Sequence, residues 1–138
     1  MVGTAGRELS WPEDLNIEPL GWLADAAAEM ATWSLTVVPI LTGGGTRVKM
    51  AEAFSRRCPV VSTLLGAYGY DVSDGQELLI ADAPKDFAAK CEQLLGSPAL
   101  GGTLAANAWK KFIQSWTWDA QAESVATVVK KVLAAQKS

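Results

Sequence analysis

The stretch VVPILTGGGTRVKMAEAF, residues 37–54, sets the reading of this chain. A β-branched apolar run closes on Pro39, three glycines follow at 43–45, and a helical pattern then begins with Arg47, Lys49 and Glu52 on it. The wider run SLTVVPI, residues 34–40, is apolar nearly throughout, as in a strand of a parallel sheet buried on both faces. TRVKMAEAFSRR, residues 46–57, reads as a helix with Thr46 as its N-cap. A glycine loop between a strand and a helix presents unpaired backbone N–H groups and the positive end of the helix dipole. Without Cβ atoms at Gly43, Gly44 and Gly45 an anion can reach that backbone, and Arg47 and Lys49 add positive charge in the first turn. Several donors suit the several oxygens of a diphosphate. The alternative is a plain flexible turn with Lys49 and Glu52 paired on the helix surface. Neither GxxxxGK[ST] nor GxGxxG is present, so the common phosphate-loop and dinucleotide fingerprints are not met.

Outward from this stretch, short apolar runs alternate with helical ones. IEPLGW (17–22) reads as a strand and turn, LADAAAEMATW (23–33) as a helix, CPVVST (58–63) as a buried strand and ELLIA (77–81) as another. LLGAYGYDVSDGQ (64–76) reads as a long loop, in which DVSDG (71–75) is a polar turn rather than a metal loop. PKDFAAKCEQLLG (84–96) has proline at a helix start and glycine at its end, and two further helices cover about 99–115 and 118–137. Val2 and Gly3 read as the tail of a strand. The expectation is an α/β fold: a Rossmann-like open parallel sheet, doubly wound, with helices on both faces, as one incomplete domain over residues 1–138 with a helical C-terminal extension from about 99. Ligands of such sheets sit at the carboxyl ends of the strands, where TGGGTR and STLLGAYG both fall.

Bulk composition narrows the function. The chain has 138 residues, enough for one domain with a core, and 49% of them are hydrophobic, so it should fold. A net charge of −3 argues against a nucleic-acid binder, which needs a basic stripe. There is no histidine, and Cys58 and Cys91 form no CxxC pair, which excludes a Cys/His metal site and an imidazole base. Both cysteines read as reduced thiols of a cytosolic protein. The N-terminal residues do not read as a signal peptide, and no run reaches about 18 apolar residues.

The pieces taken in order resemble the C-terminal, donor-binding domain of the retaining GT-B glycosyltransferases of family four, the group 1 glycosyltransferases. The residues that carry the resemblance are a Gly-aromatic turn followed by Asp25, a strand ending in Pro39, GGGTRVKMAEAF, CPVVST, GAYG, and LLIAD before a helix. The likeness spans residues 17–131. It implies transfer of a sugar from a nucleotide-diphosphate donor with retention at the anomeric carbon. It further implies that the backbone at Gly43, Gly44, Gly45 and Thr46 approaches the donor phosphates, that Arg47 and Lys49 neutralise the leaving diphosphate, and that Trp22 and Leu23 lie near the nucleobase. Glu52 matches the second glutamate of an E-x7-E motif and would hold the ribose hydroxyls. Gly44 stands where the first glutamate belongs, so the contact to the donor sugar is unassigned. No cofactor and no metal are expected, the nucleotide sugar being a substrate. Arg47 and Lys49 would act catalytically, by stabilising charge that grows on the leaving phosphate. The resemblance also implies a cytoplasmic protein, peripheral to the inner face of the membrane in its full-length context. Such enzymes place the active site between two Rossmann-like domains. The chain is therefore expected to be the donor half, inactive alone and in need of a separate acceptor-binding domain or chain. In the family the helix after SWTW crosses back to the other domain. Without that domain the apolar VATVVKKVL face should promote a homodimer. Of six tryptophans, Trp22 is the candidate for base stacking and most of the others are expected in the core. The rival reading is a non-catalytic Rossmann-like assembly or regulatory module. A receiver-type domain is weaker, because neither an acidic cluster at the first strand nor a late lysine can be placed.

Overall fold

The computed structural model describes residues 12–135. The expected strand tail at Val2-Gly3 and Trp11 lie outside them. Backbone contacts divide the chain into two compact units that meet in sequence at Thr32 and Trp33.

In the first unit a 3-10 turn covers Glu13–Leu15, and helix α1 covers Ala26–Met30. The expected strand at 17–22 does not form. One isolated bridge at Gly21 is all that appears, and Pro19 in the run has no N–H to give a ladder. The helix is shorter than the alanine-rich run suggests. Asp25 Oδ1 accepts from the N–H groups of Ala27 and Ala28, both at 3.0 Å, and so sets the start. At the other end the Thr32 hydroxyl donates to Glu29 O at 2.8 Å, the local side-chain bonding that competes with continued helix.

The second unit is a three-stranded parallel sheet with strand order β1-β2-β3: β1 (Thr36–Val38), β2 (Val60–Ser62) and β3 (Leu79–Ile80). Thr36 lies opposite Val60, and Val61 opposite Leu79. The strands run in sequence order, so no reversal of order occurs among those described. Around the sheet lie helices α2 (Val48–Ser55), α3 (Leu64–Ala67), α4 (Pro84–Gly96), α5 (Pro98–Ser115) and α6 (Trp118–Ala135). Central β2 is buried at all three positions, as a strand covered on both faces must be. Edge strand β1 departs from the expectation: Thr36 and Val38 are buried but Val37 is exposed, because one face of that edge is uncovered.

Val61, Leu79, Leu94 and Leu104 form a core cluster, with Leu35, Phe87, Cys91 and Leu100 packed against it. Helix α5 contributes Leu104, Ala105 and Ala108 to the buried set, whereas α6 buries no residue. Gly101 lets α5 approach Pro59, whose Cγ would lie 3.2 Å from an added Cβ. Among the tryptophans, Trp116 stacks on Tyr70 and Trp109 lies under the Arg57 guanidinium, whereas Trp118 is almost fully exposed. Among the described residues no helix is long and apolar enough to cross a membrane.

Candidate functional site

The glycine loop joins β1 to α2 at the carboxyl end of the sheet. Gly43 and Gly45 have φ of 106° and 92°, a region that side-chain-bearing residues rarely adopt. Gly44 has no such constraint, and an added Cβ at any of the three meets nothing within 4 Å. Among the described residues, then, no atom fills the side-chain space of these three glycines. The helix that follows is uncapped. Its N-cap is Arg47, with no side-chain bond to the first turn, rather than the expected Thr46, whose carbonyl instead accepts from Val48 N at 3.0 Å. Among the described residues the N–H groups of Gly43, Gly44, Gly45 and Thr46 donate to no acceptor. Backbone donors left open in this way require a partner from solvent or from a ligand.

Arg47 explains how the loop keeps its shape. The residue is 8% exposed, and its guanidinium donates to Gly44 O at 3.0 Å, Gly43 O at 3.1 Å and Leu65 O at 3.4 Å. The rigid fork of donors holds the carbonyls of Gly43 and Gly44 against the guanidinium. It also ties the first loop to the start of α3. Among the described residues no carboxylate pairs with Arg47, and the partners of its guanidinium are carbonyl oxygens. From behind, the Tyr70 hydroxyl donates to Arg47 O at 2.9 Å. Burial pushes the Tyr70 pKa up and keeps that donor protonated. Tyr70 is itself wedged between Phe54, edge-on at 5.8 Å, and Trp116, stacked at 4.2 Å.

The other expected site residues are placed as follows. Lys49 and Glu52 lie on α2, both exposed, and no ion pair joins them or any other described residue to them. The surface pair that a plain turn would have used is not formed. Thr46 is exposed beside the glycines. Trp22 and Leu23 belong to the first unit, Trp22 being 75% exposed. Asp71 and Asp74 of the DVSDG turn are engaged by lysines: Asp74 with Lys90 at 2.6 Å, and Asp71 with Lys111, which also reaches Glu77 at 3.3 Å.

Sequence reasoning missed the second wall of the site. The run 64–76 begins not with a loop but with helix α3. Thr63 caps it, accepting from Gly66 N at 3.0 Å while donating to Ile40 O at 2.6 Å, which pins the β1 end to the β2 end. Asp82 Oδ1 accepts from Leu64 N at 2.8 Å. A threonine at a strand end is a common helix cap, and that was the signal available. Gly66 is buried where an added Cβ would lie 2.5 Å from Ser62 Oγ and 2.6 Å from Val38 O.

A parallel α/β sheet with an open glycine loop at its carboxyl edge, a buried arginine beneath and a helix start beyond is the arrangement of a Rossmann-like domain. The family profile described as glycosyl transferases group 1 matches residues 1–97, more than half of the chain, which belongs to that family. No curated protein matches the chain. Solved structures with the same fold include sucrose-phosphate synthase from Thermosynechococcus elongatus (TM-score 0.74, 20% identity, 86% of this chain and 30% of that one). Another is the C-terminal domain of a group 1 family glycosyl transferase from Francisella tularensis (TM-score 0.64, 18% identity, 72% and 53%). A third is a variant of TarM from S. aureus, in complex with fondaparinux, alpha-GlcNAc-glycerol and UDP (TM-score 0.67, 21% identity, 81% and 23%). The chain thus spans between about a quarter and half of the length of these structures.

Proposed function

We propose that this chain is the donor-binding part of a retaining group 1 glycosyltransferase and holds a nucleoside-diphosphate sugar by its diphosphate. One observation carries the reading: a buried arginine braces a row of backbone N–H groups, and among the described residues the arginine has no carboxylate partner and the N–H groups have no acceptor. An anion bound there satisfies the amides and the uncompensated charge together. In this reading Gly44, Gly45 and Thr46 bond the phosphate oxygens through their backbone. Arg47 shapes the loop and contributes its charge through it. Lys49, unpaired and exposed, reaches the phosphate as a mobile cation, and Glu52 takes the ribose hydroxyls. Charge accumulating on the leaving diphosphate is stabilised by fixed dipoles and cations, and no protein nucleophile is required. The presence of UDP in the TarM variant's complex is in keeping with a ligand of this class.

Calorimetric titration of the folded chain with UDP, GDP and ADP tests the proposal. Saturable binding of one of them, weakened roughly tenfold in Lys49→Ala without loss of stability, is the expected result. No heat with any of the three on a folded protein would remove the donor site and leave the assembly-module reading.

A further inference from the structure

Helix α5 packs against α2 and carries two tryptophans seven residues apart, Trp109 and the C-cap Trp116. They address opposite ends of α2. Trp109 lies under the Arg57 guanidinium, 4.0 Å from the ring centroid, just past the last turn of that helix. Trp116 stacks on Tyr70, with centroids 4.2 Å apart and planes at 26°, and the Tyr70 hydroxyl donates at 2.9 Å to Arg47 O at the head of the helix. The same carbonyl accepts from Met50 N at 2.9 Å, so Tyr70 grips the turn that opens α2.

The two contacts differ in what lies beyond them. Past Arg57 the chain enters buried Cys58 and strand β2. Before Arg47 lies the glycine loop, whose Gly44 O and Gly43 O the guanidinium of that same residue holds at 3.0 and 3.1 Å. Arg47 thus receives a bond from Tyr70 at its main chain and gives two to the loop from its side chain, so a displaced Tyr70 disturbs both. Phe54, the edge-on neighbour of Tyr70, belongs to α2 and moves with it. Trp116 does not. Its N–H donates to Phe112 O at 2.8 Å, and α5 is anchored by Leu104, Ala105 and Ala108 among the buried residues. Stacking is directional, and this pair registers the head of α2 against a helix fixed elsewhere in the core.

We propose that Trp116 is a positioning residue for the glycine loop, acting through Tyr70 and the main chain of Arg47. The consequence for diphosphate binding rests on the donor-site reading above; the coupling to the loop does not.

The test compares Trp116→Leu, Trp116→Phe and Trp109→Leu in the full chain by three measurements. These are urea unfolding, the amide proton and nitrogen resonances of Gly43, Gly44 and Gly45, and calorimetric titration with UDP, GDP and ADP. Trp116→Leu should move the glycine resonances and weaken binding roughly fivefold. Trp116→Phe keeps a stacked ring and should recover most of both. Trp109→Leu should lower unfolding stability and leave both where they are. In a Tyr70→Phe background, where the hydroxyl link is already cut, Trp116→Leu should change neither any further. Glycine resonances that stay put in Trp116→Leu, or move equally in Trp109→Leu, overturn the proposal. An effect of Trp116→Leu that persists in full on top of Tyr70→Phe also overturns it, because the route would then bypass the hydroxyl. If Trp116→Leu does not fold, Tyr70→Phe decides alone, and unmoved glycine resonances there overturn the coupling. A parent that binds none of the three nucleotides, yet whose glycine resonances follow the expected pattern, supports the coupling and removes the donor site.

Discussion

The two glycine-bearing turns at the carboxyl edge of the sheet resemble each other as sequence and differ as structure. In LTGGGTR the three glycines face open space, and two of them serve a left-handed backbone. In STLLGA the single Gly66 is clamped: no Cβ fits between it, Ser62 Oγ and Val38 O. The first turn is left open by its surroundings, and the second is closed by them. A glycine-rich run announces freedom of the backbone; only the surroundings reveal whether that freedom serves packing or access.

Substitution at Gly66 should break this comparison most visibly. Gly66→Ala forces a methyl against a backbone carbonyl that cannot rotate away, and should cost about 1–3 kcal/mol or more in urea unfolding. Gly44→Ala, by contrast, should stay within about 0.5 kcal/mol of the parent. The link between the turns comes next. Arg47→Ala removes two donations to loop carbonyls and one to Leu65 O of α3, at about 2–3 kcal/mol, and Arg47→Lys should recover only part of that because an ammonium cannot reproduce the fork. Hydrogen exchange at the loop amides would report it directly. Tyr70→Phe keeps the stack on Trp116 but deletes the bond to Arg47 O, and should lower unfolding stability by about 1 kcal/mol.

The smallest effect is electrostatic. Burial raises the Asp74 pKa, but bonds from Lys90 and from Ile80 N outweigh it, and the net direction is down. A carboxyl depressed in the folded state contributes stability at pH above its unfolded value, and that contribution is lost as pH falls through the folded value. Urea midpoints measured on the acid side of neutrality should therefore decline with pH. In Lys90→Ala the decline should be shallower, starting from a lower plateau. A parallel decline in both proteins would remove Asp74 from the account.

Much of this architecture could be read in advance, for physical reasons. Strands β1 and β2 stood out as short β-branched runs and β3 as a short apolar run between breakers, and α4 by Pro84 and Gly96 at its ends. Ambiguity arose wherever side-chain bonds overruled propensity. Asp25 delayed α1, Thr63 turned a loop into α3, and Arg47 replaced Thr46 at the head of α2. The bonds that fix the site, Thr63 to Ile40 and Arg47 to Leu65, join residues far apart in sequence, and no local pattern encodes them. The candidate site was legible as residue types. Not legible was that Arg47 would point inward at the loop carbonyls while Lys49 stayed unpaired.

The central claim is that the space above Gly44 is kept open for a diphosphate. Gly44→Val fills that space without touching the fold, because no atom lies within 4 Å of the added Cβ and the backbone there is not left-handed. Calorimetric titration of this variant with the nucleoside diphosphate that the parent binds, run beside its urea unfolding, tests the claim most directly. The account predicts unchanged stability and no measurable binding. Binding equal to the parent's in a folded variant would contradict it, and the glycines would then be a turn and nothing more.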